Sequence, residues 1–165
     1  MKKPLTLAAL VVISVVANAT NAIGVNQQYQ LISSIASEEI DENITTPSFM
    51  QYMQNGKRTP SCSIILKNNE YKVVFFESDD SEDYSNCNKI YPPIITKIKG
   101  QYYAAYRYSE EETRGSFIDG YVVMNLTKNS FHICQNQEKI TAEMKKSKKQ
   151  TSKLLNSIIE RNGCL

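Results

Sequence analysis

The fold is decided by residues 94–134, IITKIKGQYYAAYRYSEEETRGSFIDGYVVMNLTKNSFHIC. Segments rich in Ile, Val, Tyr and Phe alternate there with turn-forming residues such as Gly100 and Lys128-Asn129. Segments of this composition are typical of β-strands, and short turns between them favour antiparallel hairpins because parallel pairing needs long crossovers. The stretch therefore predicts two hairpins, with strands at residues 94–99 and 101–108 and at residues 117–126 and 130–134.

The sequence on either side extends this pattern. Residues 62–67 and 71–77 are strand-like and flank Asn68-Asn69, which predicts a third hairpin. After residue 134 the apolar residues follow helical spacing, with Asn136 as a candidate N-cap and Asn162-Gly163 as a stop. The apolar stripe fades over residues 145–150, so this region is either a solvated turn of one long helix or a break between two helices.

The N-terminal part completes the predicted architecture. Residues 23–36 suggest a short amphipathic helix, and the polar, proline-containing residues 37–61 are expected to wrap the surface. The predicted fold class is α+β: an antiparallel β-meander of about six strands in three hairpins, packed against N- and C-terminal helices and stapled by disulfides. Residues 23–165 are expected to form a single domain.

The first 22 residues resemble a cleaved signal peptide. Lys2 and Lys3 precede an apolar run over residues 5–16, and Ala19 and Ala22 are candidate cleavage sites, of which Ala22 is favoured. The run is shorter than the ~20 residues that a membrane-spanning helix needs. We expect export to a bacterial periplasm, with secretion as the second choice, and no membrane insertion after cleavage.

Cleavage changes the net charge of the protein. The whole chain carries +2, and the removed segment contains two lysines and no acid, so the mature charge is +2 − 2 = 0. A neutral protein offers no general attraction to nucleic acid or anionic lipid, and nucleic acid is not an expected partner.

Four cysteines lie in the mature part, and an even number in an exported chain favours two disulfides. A zinc site is disfavoured because no two cysteines have C-x₂₋₄-C spacing and His132 is the only histidine. Of three possible pairings we predict Cys62–Cys87, which joins the two ends of a hairpin, and by elimination Cys134–Cys164. A straight helix over residues 137–162 would span roughly 39 Å, whereas disulfide-bonded Cα atoms lie within about 7 Å. The second pairing therefore requires the chain to fold back at residues 145–150.

Two features are candidate partner-binding sites. One is the acidic segment 77–84, ESDDSEDY, which is a solvated loop or a contact for a cationic partner; its spacing does not fit an EF-hand calcium loop. Its candidate residues are Asp79, Asp80, Glu82, Asp83 and Tyr84. The other is the tyrosine-rich strand, where alternation separates Tyr103 and Arg107 from Tyr102, Tyr106 and Tyr108. If the Tyr103–Arg107 face is bare, it carries residue types that are enriched at interfaces.

The sequence carries no recognisable catalytic motif. His132 is the only ring available for Cys–His or Ser–His chemistry, and no nucleophile or metal-binding signature accompanies it. We therefore expect a protein that is not an enzyme and that uses no cofactor or metal.

In size, export signal and cysteine usage, the chain resembles small exported immunity proteins and periplasmic lysozyme inhibitors. The resemblance implies a non-enzymatic binding protein that occludes a toxic effector enzyme. Two alternatives stay open: an accessory or assembly subunit of an envelope complex that binds through a strand edge, and a small hydrolase with an unrecognised site.

Overall fold

The structure is a computed structural model that describes residues 29–66, 72–76 and 87–164. The predicted signal peptide and the acidic segment lie outside these residues. The predicted fold class is confirmed, since the described chain is α+β with antiparallel strands and two helices.

The first sheet has four strands in the order β1-β4-β5-β6, all antiparallel. The predicted hairpin over residues 62–77 is confirmed as β5 and β6. A separate two-stranded ribbon, β2 and β3, lies between β1 and β4 in the chain. The bounds are β1 Tyr29–Ile35, β2 Glu39–Asp41, β3 Ile44–Thr45, β4 Ser48–Gln54, β5 Ser61–Leu66 and β6 Lys72–Phe76.

The second sheet contains the other two predicted hairpins, so the three hairpins form two sheets. Its order is β11-β10-β9-β7. Strand β8 also pairs with β9, on the same side as β7 but nearer the start of β9. The long β9–β10 hairpin turns at Arg114-Gly115, where Gly115 has a positive φ of 79°. The bounds are β7 Lys89–Ile90, β8 Ile94–Ile98, β9 Gln101–Thr113, β10 Ser116–Thr127 and β11 Ser130–Ile133.

Two expectations for the N-terminal part are wrong. Most of the described part of the predicted helix at residues 23–36 is strand β1, of whose seven residues six pair with β4. A few apolar residues at irregular spacing fit both a helix and a strand, and here pairing with β4 favours the strand. Residues 37–61 include β4, where Phe49 is fully buried, rather than only a surface wrap.

The C-terminal region forms two helices, α1 (Gln137–Lys146) and α2 (Ser152–Asn162), with the break where the stripe fades. The Thr151 hydroxyl caps α2 by accepting a hydrogen bond from the Leu154 amide at 3.2 Å. Asn136 makes no side-chain capping bond to α1, contrary to expectation. Its amide nitrogen instead donates to the Asn162 carbonyl at 2.7 Å, which ties the start of α1 to the end of α2.

Both predicted disulfides are present. The Cα atoms lie 5.9 Å apart in Cys62–Cys87 and 4.3 Å apart in Cys134–Cys164. Two disulfides indicate an oxidising location outside the cytoplasm. Within the described ranges, no helix is long and apolar enough to cross a membrane.

The β9–β10 hairpin separates two hydrophobic cores. One core lies between the two sheets and contains Phe49, Ile64 and Tyr106. The other lies between the second sheet and the helices and contains Ala105 and Leu155. Side chains of alternate residues on β9 therefore enter opposite cores.

Candidate binding edge

The base of the acidic segment is fixed by described residues, although the segment itself is not among them. At its start, Phe76 ends β6 and pairs with Cys62 of β5. At its end, Cys87 is joined to the same Cys62 by the disulfide. Residues 77–86 are therefore attached at both ends to one buried point on the first sheet.

Gln51 reinforces this attachment from β4. Its side chain is buried, and its amide nitrogen donates to the Cys87 carbonyl at 2.9 Å and to the Asn88 carbonyl at 2.7 Å. The Asn88 amide in turn donates to the Ser109 carbonyl of β9 at 2.7 Å. The chain that leaves the acidic segment is thus held between the two sheets and continues directly into the edge strand β7.

Beyond β7, an arginine is stacked on a tyrosine. The guanidinium carbon of Arg107 lies 3.9 Å from the centroid of the Tyr91 ring. Arg107 Nε lies 3.2 Å from Asp119 Oδ1, and the Tyr91 amide donates to the Arg107 carbonyl. Cation–π stacking contributes from about 0.5 to 2 kcal/mol as the pair becomes desolvated. The arginine is held in one orientation by the neighbouring strands.

The register of the sheet brings these groups together. Lys89 of β7 and Asp119 of β10 both pair with Ser109 of β9, from opposite sides. Lys89 Nζ lies 5.1 Å from the centroid of the Tyr91 ring. We call Lys89, Tyr91, Arg107, Phe117 and Asp119 the binding edge.

The electrostatics keep the stacked arginine charged. Burial acts to lower the pKa of Arg107, but Tyr91 and Asp119 more than offset it, so the pKa is raised above its ordinary value. The side chains of Arg107 and Asp119 are 27% and 32% exposed, so both charged groups remain partly accessible to a partner.

An open pocket of about 350 Å³ lies along this edge. Phe117, one of its lining residues, is 51% exposed. Tyr91 also lines it, and Arg107 stacks on the Tyr91 ring. Aromatic residues and arginine are enriched at protein interfaces. The pocket is lined by Asn88, Lys89, Tyr91, Ser109, Phe117, Ile118 and Asp119.

The predicted bare face of the tyrosine-rich strand is the face that the helices cover. Tyr103 and Arg107 share one face, as alternation predicts, but this face is turned toward the helices. Tyr103, however, is only 6% exposed and belongs to the core beneath the helices. The expectation that Tyr103 is exposed is wrong. Of the two candidate residues on this strand, only Arg107 remains accessible to a partner.

Sequence reasoning did not identify Tyr91, Lys89 or Phe117 as site residues. Their relation to Arg107 depends on how β7 and β10 pair with β9, and the short segment 89–91 carries no local signal for that register. Asp79, Asp80, Glu82, Asp83 and Tyr84 lie outside the described residues.

Other candidate chemistry is sparse in the described ranges. His132 is exposed on β11, and no group of three or more His, Cys, Asp or Glu residues there could hold a metal ion. A surface cluster joins Asp41 to Tyr102, whose hydroxyl donates at 2.8 Å, and to Lys97 at 3.3 Å. The Tyr102 hydrogen bond is the main cause of a lowered Asp41 pKa. This cluster fastens the β2–β3 ribbon to the second sheet.

No protein-family model, curated protein or solved structure matches the chain.

Proposed function

We propose that this protein is a periplasmic, non-enzymatic inhibitor of a toxic effector enzyme, exported by a signal peptide over residues 1–22. The observation that carries the proposal is the anchoring of the acidic segment at Cys62, since the chain continues from Cys87 within two residues to Lys89 of the binding edge. A segment held at both ends loses less conformational freedom on binding than a free one, so more of the contact energy appears as affinity.

The charge distribution supports contact with a cationic surface. Five of the ten residues at 77–86 are acidic, and the predicted mature chain is neutral as a whole. The remaining mature residues therefore carry a net charge of +5, and the negative charge is concentrated in this segment. Such a segment speeds encounter with a positively charged cleft and disfavours acidic partners.

The proposed mechanism is occlusion of the enzyme's cleft. The acidic segment enters the cleft while Tyr91, Arg107 and Phe117 contact its rim and exclude substrate. No group of the inhibitor needs to react, since inhibition follows from the buried surface alone. Affinity is then expected to fall as ionic strength rises, because salt screens the charge contacts.

The first experiment identifies the partner. The exported, oxidised protein is immobilised and exposed to toxic effectors of cell-wall or membrane chemistry from competing bacteria. One enzyme bound in stoichiometric amount and inhibited supports the proposal. Turnover of peptidoglycan or lipid by the purified protein contradicts it.

The second experiment tests the acidic segment against that partner. Reversal of Asp79, Asp80 and Asp83 to lysine is expected to weaken binding at least tenfold in calorimetry, with unchanged thermal stability. The matched control reverses Glu38, Glu39 and Glu42, which are exposed near the β2–β3 ribbon and give the same change in net charge. Equal weakening by both triple variants would show that only overall charge matters, and unaltered affinity would remove the segment from the interface.

A further inference from the structure

Strand β1 exposes an unusual amount of apolar surface. Tyr29, Leu31 and Ile32 are 46%, 53% and 49% exposed. Among the described residues only Phe117 and Ile133 are large hydrophobic side chains of similar exposure. Three exposed apolar side chains within four residues of one strand make it a candidate interaction site.

The surroundings of β1 are uncharged. Strands β1, β4 and β5 contain no Asp, Glu, Lys or Arg on either face, although 22% of the whole chain is charged. Within the described residues β1 pairs with β4 alone, so it forms the edge of this sheet. Edge strands usually carry charges, proline or bulges that prevent pairing with another chain. Strand β1 has no charge and no proline, and its one protective feature is a register shift between Leu31 and Ser33.

We propose that β1 pairs with β1 of a second copy of this chain, antiparallel across a two-fold axis. Such pairing would join the two first sheets into one continuous sheet and satisfy the outward backbone groups of both strands. In such an antiparallel contact residue i of one copy lies opposite residue j of the other, and only the residues nearest the two-fold axis meet their own kind. Because β1 contains no charged residue, no charge repulsion opposes its pairing with itself.

The size of the contact sets the expected affinity. Seven paired residues extend about 24 Å at ~3.4 Å each, and stable interfaces bury about 1,200–2,000 Å² in total. A single pair of strands with its flanking side chains lies at the low end of this range. We therefore expect a reversible dimer with a dissociation constant that is roughly micromolar or weaker.

Sedimentation velocity over a wide concentration range tests the proposal on the exported, oxidised protein. The wild type should shift from monomer to dimer as concentration rises. Leu31→Lys and Ile32→Lys should weaken the dimer at least tenfold, since each adds a lysine to both strands at or next to the middle of β1, close to the proposed two-fold axis. Both side chains are exposed, so the variants should keep the wild-type melting temperature, which is measured alongside.

Phe117→Lys is the matched control, since it places the same charge at an equally exposed apolar residue on the other sheet. It should leave the dimer intact and weaken binding to the proposed target enzyme. Leu31→Lys should weaken the dimer and leave binding to the enzyme unchanged. A wild type that stays monomeric throughout overturns the proposal, and so does equal weakening by Leu31→Lys and Phe117→Lys. If β1 pairs only with a different envelope protein, the wild type stays monomeric, and the proposal is overturned.

Discussion

At the scale of single residues, Gly120 shows how closely the central hairpin is packed. It lies directly opposite Tyr108 in the register of β9 and β10, and a Cβ at this position would overlap the Tyr108 ring. The ring therefore occupies the space that any other side chain would need.

Gly120→Ala is expected to destabilise the protein by about 1–3 kcal/mol, because overpacking displaces the ring and its strand. The free energy of unfolding in denaturant measures this loss. The control is the same substitution in a Tyr108→Ala background, where the obstructing ring is absent. A loss of the same size in both backgrounds would show that the ring is not the cause.

Arg107 shows how far residue-level prediction extends. Its strand and the residues that share its face follow from alternation in the sequence, and both are confirmed. Its partner Asp119 comes from β10 and Tyr91 follows β7, and only the pairing of these strands with β9 brings them within contact. Tyr103 shows the limit: alternation groups it correctly with Arg107, but cannot tell that the helices cover this face.

At the scale of elements, the two disulfides form a natural comparison. They close segments of similar length, with sequence separations of 25 and 30 residues. Chain entropy alone predicts that each contributes about 3–4 kcal/mol. Their positions differ, because Cys62–Cys87 anchors the acidic segment and Cys134–Cys164 closes the helix pair.

Replacing both cysteines of either pair by alanine is therefore expected to lower stability by similar amounts. Only the loss of Cys62–Cys87 should also weaken enzyme binding, by at least tenfold, because it frees one end of the acidic segment. Denaturation and calorimetry on the two double variants measure the two effects. Equal losses of affinity in both variants would mean that the anchoring of the segment is unimportant for binding.

Some elements were predictable because a distance limited the possibilities. The break between α1 and α2 follows from the disulfide, since a straight helix cannot bring Cys134 near Cys164. The hairpins follow from short turns between strand-like segments. Strand β1 was not predictable, since its short apolar pattern fits a helix too, and the deciding partner β4 lies well downstream in a segment rich in polar residues.

At the scale of the whole molecule, buried tyrosines limit stability at alkaline pH. Burial raises the pKa of Tyr108 and of Tyr121 to about 12, with nearby carboxylates acting in the same direction. Burial also raises the pKa of Tyr106. Below pH 10 these phenols are neutral in both the folded and unfolded states. Above it they ionise more readily in the unfolded chain, so stability falls as pH rises from about 10 to 12.

Tyr121→Phe should reduce this alkaline loss of stability. Its buried hydroxyl finds no hydrogen-bond partner in the described structure, so the substitution should cost little at neutral pH. Unfolding curves at neutral pH and at several values between pH 10 and 12 compare the variant with the wild type. Parallel curves for the two proteins across this range would contradict the assigned role of Tyr121.

The ribbon formed by β9 and β10 has a consequence for the protein's evolution. Because the two faces of its middle part, residues 103–106 and 121–126, lie in different cores, a change of side-chain size there disturbs packing on either face. The binding edge at its outer end has no such restriction. Among homologues we expect the middle of the ribbon to change slowly, while the binding edge and the acidic segment diversify as each lineage encounters a different enzyme.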